Sequence, residues 1–236
     1  MQTQKSKIKT QNKCINNNIA KRFLSFAFCV LSFAFVCSGC AKTVTVIGAP
    51  GEEMTVEVTL RGNLDANDNR YFLVLSSDPN YRIPLPPPDL VDEAPELLEP
   101  GTDPMIGSIE AYYTNFYSAW SGYIILDPSG YSLVRGPFVL NQAVTREVLS
   151  TLGEISTRIS FSFRLERVFA VLPTQIYYDF VAVPWPDGQQ KIPADHLPST
   201  NNYISKIAGS IDEVGDGEDS GLSAELDILG CKIVIQ

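Results

Sequence analysis

The chain has 236 residues, 44% of them hydrophobic and 19% charged, with 27 acidic residues, 18 basic ones, a single His and five Cys. This is too apolar for a disordered polymer and too poor in Cys for a disulfide-stapled scaffold, and the length suits one domain with a real core. The acidic excess repels nucleic-acid phosphates, so no nucleic-acid partner is expected, and one His cannot supply both a base and a metal-ligand set.

The first predicted element is a targeting segment, residues 1–39. Lys5, Lys7, Lys9, Lys13, Lys21 and Arg22 stand before residue 23 with no acidic residue among them, and residues 23–37 are apolar apart from Ser25 and Ser32. A basic stretch followed by an apolar run is the layout of a signal peptide. About 20 apolar residues are needed to cross a hydrocarbon core at about 1.5 Å per residue, so this run is too short for a comfortable span.

The run ends in "FVCSGCAK", where Ser38 and Gly39 precede Cys40. Small residues ahead of a cysteine at this point resemble the lipobox of bacterial lipoproteins, with Cys37 standing where that family usually carries Leu. The resemblance implies cleavage before Cys40 and acylation of that residue as the new N-terminus, palmitate being one such chain. It implies an anchored linker over residues 40–52 and a place in the bacterial cell envelope. Ala41 follows the cysteine where inner-membrane members often carry Asp, which directs the protein to the outer membrane if the cell has two. An ordinary secretory cleavage nearby and a retained anchor helix are the alternatives. A redox C-x-x-C site at Cys37 and Cys40 would need a strand-to-helix turn in a folded domain, which the end of a leader does not offer.

Removing the six basic residues of the leader leaves 12 basic residues against 27 acidic ones, a net charge near −15. Membrane attachment then has to come from the lipid, at about 0.8 kcal/mol per buried methylene. Cys231 is left without a partner and reads as a small buried hydrophobe.

Residues 53–236 read as an all-β, antiparallel sandwich-like domain of eight or nine strands with one or two short helices. "MTVEVTLRG" places Val56, Val58 and Leu60 on one face, and "RYFLVLS" follows as an apolar strand. Residues 77–107 form a long Pro- and acid-rich loop, with Pro86, Pro87 and Pro88 favouring extended backbone; its expected role is to cover a sheet edge, and a partner-binding strap is the alternative. "SIEAYYTNFYSAWSG" has Tyr113, Phe116, Tyr117 and Trp120 at helical spacing. "GYIILD" and "YSLVRGPFVL" are strands joined by the Pro-Ser-Gly turn of "LDPSGYSLV", and "NQAVTREVLSTLG" reads as a second helix with Val144, Val148 and Leu152 aligned. Residues 154–167 alternate cleanly and predict a long strand burying Ile155, Ile159, Phe161, Phe163 and Leu165. "QIYYDFVAV", "GLSAELDIL" and "CKIVIQ" complete the strands, and "PWPDGQQKIPADHLPSTNN" is a second long connection placed near the first.

Catalytic signatures such as G-x-S-x-G, H-E-x-x-H and a phosphate-cradling loop do not occur, so no catalytic residue and no cofactor is assigned. Tyr113, Tyr117, Trp120 and Trp185 are candidate ligand-stacking residues, with core packing the competing role for the helical three. For a metal, "NLDANDNR" offers Asp65, Asn67 and Asn69 at alternate positions, and "DEVGDGEDSG" offers Asp212 and Asp216, both with incomplete calcium-loop chemistry. The resulting expectation is a lipid-anchored envelope protein with a structural or binding role, its partners being the membrane, an envelope protein or a glycan. An anchored carbohydrate-binding module and an envelope hydrolase are the second and third readings.

Overall fold

In the computed structural model the period-two pattern becomes two antiparallel sheets. The structure describes residues 51–85, 96–101 and 108–236; Cys40, the leader and the middle of the Pro-rich segment lie outside these residues. All the described residues belong to one compact unit, Gly48–Gln236.

The smaller sheet holds β1 (Glu53–Leu60), β6 (Arg158–Arg164), β10 (Ile211–Gly215) and β11 (Ile228–Ile235), in the order β10-β11-β1-β6. The larger runs β5-β4-β3-β2-β7-β8, built from β2 (Asn69–Ser76), β3 (Gly122–Asp127), β4 (Gly130–Arg135), β5 (Arg146–Ser150), β7 (Gln175–Pro184) and β8 (Asp195–His196), with β9 (Asn202–Ser205) also paired to β7. Alternate residues of each strand meet between the sheets. Val56, Val58, Phe163, Leu73, Phe180 and Ile233 are buried there, which is the all-β sandwich that the alternation predicts.

A second apolar layer lies on the outer face of the larger sheet. Phe72, Val74, Tyr123, Ile125, Val134 and Val181 point into it. It is closed from outside by helix α1 (Ile109–Asn115), a 3-10 turn (Tyr117–Ala119) and the described parts of the Pro-rich segment, whose Tyr81, Ile83, Leu97 and Leu98 are buried. Strands buried on both faces carry continuous apolar runs, which explains "RYFLVLS" and "GYIILD". The described parts of the Pro-rich segment therefore cover a sheet face, where a sheet edge was expected. Its Leu97 N–H donates to the Lys191 carbonyl at 2.7 Å, so the two long connections do lie together.

Three other expectations change. Strand β6 ends at Arg158 and Arg164 because its one partner, β1, supplies pairing only from Glu53 to Thr59. Ile155, expected in the core, is 76% exposed in the loop before it. Residues of "NQAVTREVLSTLG" form edge strand β5, since the free edge of β4 offers hydrogen bonds that an isolated helix would not, and Val148 stays exposed. Residues 221–227 of "GLSAELDIL" form a pair of turns, closed by Leu222 N–H to Asp219 carbonyl at 3.2 Å and Leu226 N–H to Ser223 carbonyl at 3.0 Å, and only its Ile228 and Leu229 belong to a strand, the start of β11.

Candidate functional site

The aromatic stretch faces inward. Ser108 caps α1, its hydroxyl accepting from Ala111 N–H at 3.2 Å, and the helical spacing then turns Tyr112, Tyr113, Tyr117 and Trp120 toward the outer apolar layer, where all four are buried. Their polar tips reach the Pro-rich segment. The Tyr112 hydroxyl accepts from Glu96 N–H and the Tyr113 hydroxyl from Gly101 N–H, each at 2.8 Å. Tyr117 donates to the Leu98 carbonyl, and Trp120 Nε1 donates to the Arg82 carbonyl at 2.7 Å. A proline-rich segment with no ladder partner leaves backbone groups that must be satisfied, and these side chains satisfy four of those in its described parts. Tyr113, Tyr117 and Trp120 thus act as a clamp and present no open ring face. Trp185 is half-buried at the end of β7, its ring 5.9 Å from that of Phe72. Arg70 and Lys191 lie 5.8 and 5.5 Å from it, within cation–π range.

The metal candidates serve turns and strands. Asp65 accepts from Asn67 N–H at 3.0 Å and Asp68 N–H at 3.4 Å, closing a local turn, while Asn67 is exposed and Asn69 is buried at the start of β2. Asp212 accepts from the Tyr178 hydroxyl at 2.6 Å, and Asp216 from Gly217 N–H at 2.7 Å. Among the described residues no three His, Cys, Asp or Glu side chains converge in a way that would hold a metal ion.

A cleft of about 530 Å³ lies at the end of the sandwich where β1 finishes. Three loops build it: 61–68 between β1 and β2, 151–157 between β5 and β6, and 216–227 between β10 and β11. Backbone bonds tie them together, Gly62 N–H to Ala224 carbonyl at 2.6 Å and Leu64 N–H to Ser156 carbonyl at 2.9 Å. Gly62 is required for that approach, since a Cβ there would stand 2.7 Å from Ala224. Arg61 holds the third loop. Its Nε donates to Asp227 Oδ2 at 2.5 Å, and its outer nitrogen reaches the carbonyls of Leu222 at 2.5 Å and Asp219 at 3.1 Å. Asp227, fully buried, also accepts from Asp219 N–H at 3.2 Å. The cleft has apolar walls from Leu64, Leu152 and Ile155, carboxylates from Asp65, Glu154 and Glu225, and no basic side chain in its lining. Such a lining accepts hydrogen bonds from amine or hydroxyl donors beside an apolar contact.

One titratable pair is buried elsewhere. Asp179, in the middle of β7, is fully buried; its Oδ1 accepts from Leu197 N–H at 3.2 Å, and its Oδ2 faces His196 Nδ1 at 3.5 Å with no well-aligned hydrogen bond between them. Burial pushes the Asp179 carboxyl up to about 6 against the pull of His196. Contact with Asp179 in turn raises His196 above its ordinary 6.5. The folded chain therefore keeps the Asp179 proton between about pH 4 and 6, where the unfolded chain has released it, and keeps the His196 proton above pH 6.5. Both contributions favour the fold at low pH and are lost as pH rises through the folded values. Thermal melts at pH 5 and pH 8 should show the lower midpoint at pH 8, and Asp179→Asn should narrow the gap. Parallel shifts in wild type and variant would show that the pair does not carry the dependence.

Cys231 is buried in β11, its thiol pushed up to about 12 by burial, so it is inert. Neither Arg61 with Asp227 nor the aromatic clamp was foreseen from sequence; their partners lie 166 and 12 to 38 residues away along the chain. Comparison with known protein families, with curated proteins and with solved structures finds no match.

Proposed function

We propose that the chain is a lipid-anchored protein of the bacterial cell envelope with a binding or structural role and no catalysis. The observation that carries it is the order of residues 1–42, a basic segment, a short apolar run and Ser38-Gly39-Cys40. The fold is compatible with that role. Ten residues, 41–50, separate Cys40 from the first described residue, Gly51, and reach at most about 35 Å. Strand β1 then carries the chain about 27 Å to the opposite end of the sandwich. The loop cleft is at that far end, so an anchored domain would present it away from its point of attachment. In this reading the cleft takes a ligand rich in amine or hydroxyl donors. Asn63 and Asn67, beside the three carboxylates, suit the second reading, a carbohydrate-binding module.

Intact mass of the protein from a membrane fraction tests the anchor. The expected mass is that of residues 40–236 plus acyl chains, and Cys40→Ser is expected to abolish lipid labelling. A precursor-sized product with unchanged membrane retention in that variant contradicts the reading.

A further inference from the structure

We propose that the end of the domain opposite the cleft rests directly on a phospholipid bilayer through two loops, 170–174 and 205–210. The inference rests on the anchoring reading and adds a second, protein-borne contact to it.

Gly51, where the described chain enters the domain, donates to the Gln236 carbonyl at 2.7 Å, and a Cβ on it would lie 3.3 Å from Ala208 N. The entry point is therefore against loop 205–210. That loop is joined to 170–174 by Lys206 N–H to the Thr174 carbonyl at 2.9 Å. Together they read "AVLPT" and "SKIAGS" and contain one Lys and no acid, although all 27 acidic residues of the chain lie after Cys40. Two of their aliphatic side chains point into solvent, Val171 84% exposed and Ile207 66%, as does Ile211 at the start of β10 at 61%, while Leu172 packs against the core. Of the carboxylates in the flanking elements, Glu52 and Glu166 are paired with Arg164, at 3.4 and 3.3 Å, and Asp212 accepts from the Tyr178 hydroxyl at 2.6 Å.

Exposed aliphatic tips beside a lysine, on a patch cleared of negative charge, match the boundary between headgroups and acyl chains. An anionic surface that repels the rest of the chain meets no repulsion from these loops. The tether makes weak insertion sufficient, because ten residues confine this end to the membrane neighbourhood and raise its effective concentration there. Contact at both the lipid and the loops would also fix the direction in which the cleft points.

The test uses acylated full-length protein, purified from membranes and placed in vesicles of phosphatidylethanolamine and phosphatidylglycerol that carry a quencher-labelled lipid. A fluorophore is attached at Val171→Cys or, as a control at the far end, at Gly153→Cys; buried Cys231 stays unlabelled. Several-fold stronger lipid quenching at position 171 than at 153 is expected, with the excess lost on adding Ile207→Asp while acylation and membrane retention persist. Equal quenching at the two positions overturns the inference and leaves the anchor standing. Shielding of position 171 from an aqueous quencher without lipid quenching also overturns it, since a protein then occupies the patch. Protein without acyl chains overturns the anchor and the inference together.

Discussion

Arg61→Ala is expected to cost about 3 to 5 kcal/mol of stability, because it leaves the carboxylate of Asp227 buried with its cation removed. Asp227 is 1% exposed and Arg61 is its ion-pair partner, so water does not replace the lost contact without opening the loop. The Leu222 carbonyl loses its Arg61 donor in the same step, and the Asp219 carbonyl loses one of two, keeping Leu222 N–H. Arg61→Lys keeps the charge but not the fork that serves three acceptors, and should fall between. Glu218, 3.9 Å from the same guanidinium and exposed, is the control: Glu218→Ala should change stability by less than about 0.5 kcal/mol. Urea midpoints read all three. Arg61→Ala with Asp227→Asn should recover part of the loss, since the stranded charge is gone. An Arg61→Ala midpoint equal to that of Glu218→Ala would falsify the clasp, and with it the claim that loop 216–227 is held as a wall of the cleft.

The sandwich was legible wherever one strand face is buried and the other wet. Val56 and Val58 alternating with Glu57 and Thr59, and Ile159, Phe161 and Phe163 alternating with Ser160 and Ser162, place β1 and β6 correctly because period two has only one stable solution against a core. Where strands end was less legible, since an end is set by the partner: residues 154–157 keep alternating after β1 has run out of pairing. Val144, Val148 and Leu152 fit periods near four, yet a free strand edge decided the outcome for 146–150. The cleft was not legible at all. It needs residues 62–67, 152–155 and 224–225 brought to one end of the fold, and no local pattern encodes that meeting.

The aromatic clamp lies between these cases. Spacing in "YYTNFYSAW" correctly predicts a helical face, and packing density alone would make it ordinary core. What spacing cannot show is that a Pro-rich segment also needs donors and acceptors from that face, so that the same residues fill the outer layer and satisfy a backbone without a ladder. The two requirements meet most heavily on Trp120, whose ring packs against Tyr117, Tyr123 and Phe138 at centroid distances of 5.1, 6.0 and 6.3 Å.

Trp120→Ala is accordingly expected to cost about 3 to 5 kcal/mol for the lost packing and cavity, with about 1 to 3 more if the Arg82 carbonyl is left dry. Trp120→Phe keeps most of the ring and removes the indole N–H, so it isolates the hydrogen bond and should cost clearly less. Urea unfolding orders the two variants, and limited trypsin digestion shows where the loss falls. Arg82 is exposed between buried Tyr81 and Ile83, so cleavage after Arg82 requires the segment to lift from the sheet. Cleavage should be faster in Trp120→Phe than in wild type and fastest in Trp120→Ala. A stability loss without faster cleavage would make Trp120 core and not clamp. Unchanged stability with loss of glycan binding in Trp120→Ala would restore the stacking role that its burial argues against, because a side chain that supports both sheet and strap cannot be removed without the fold registering it.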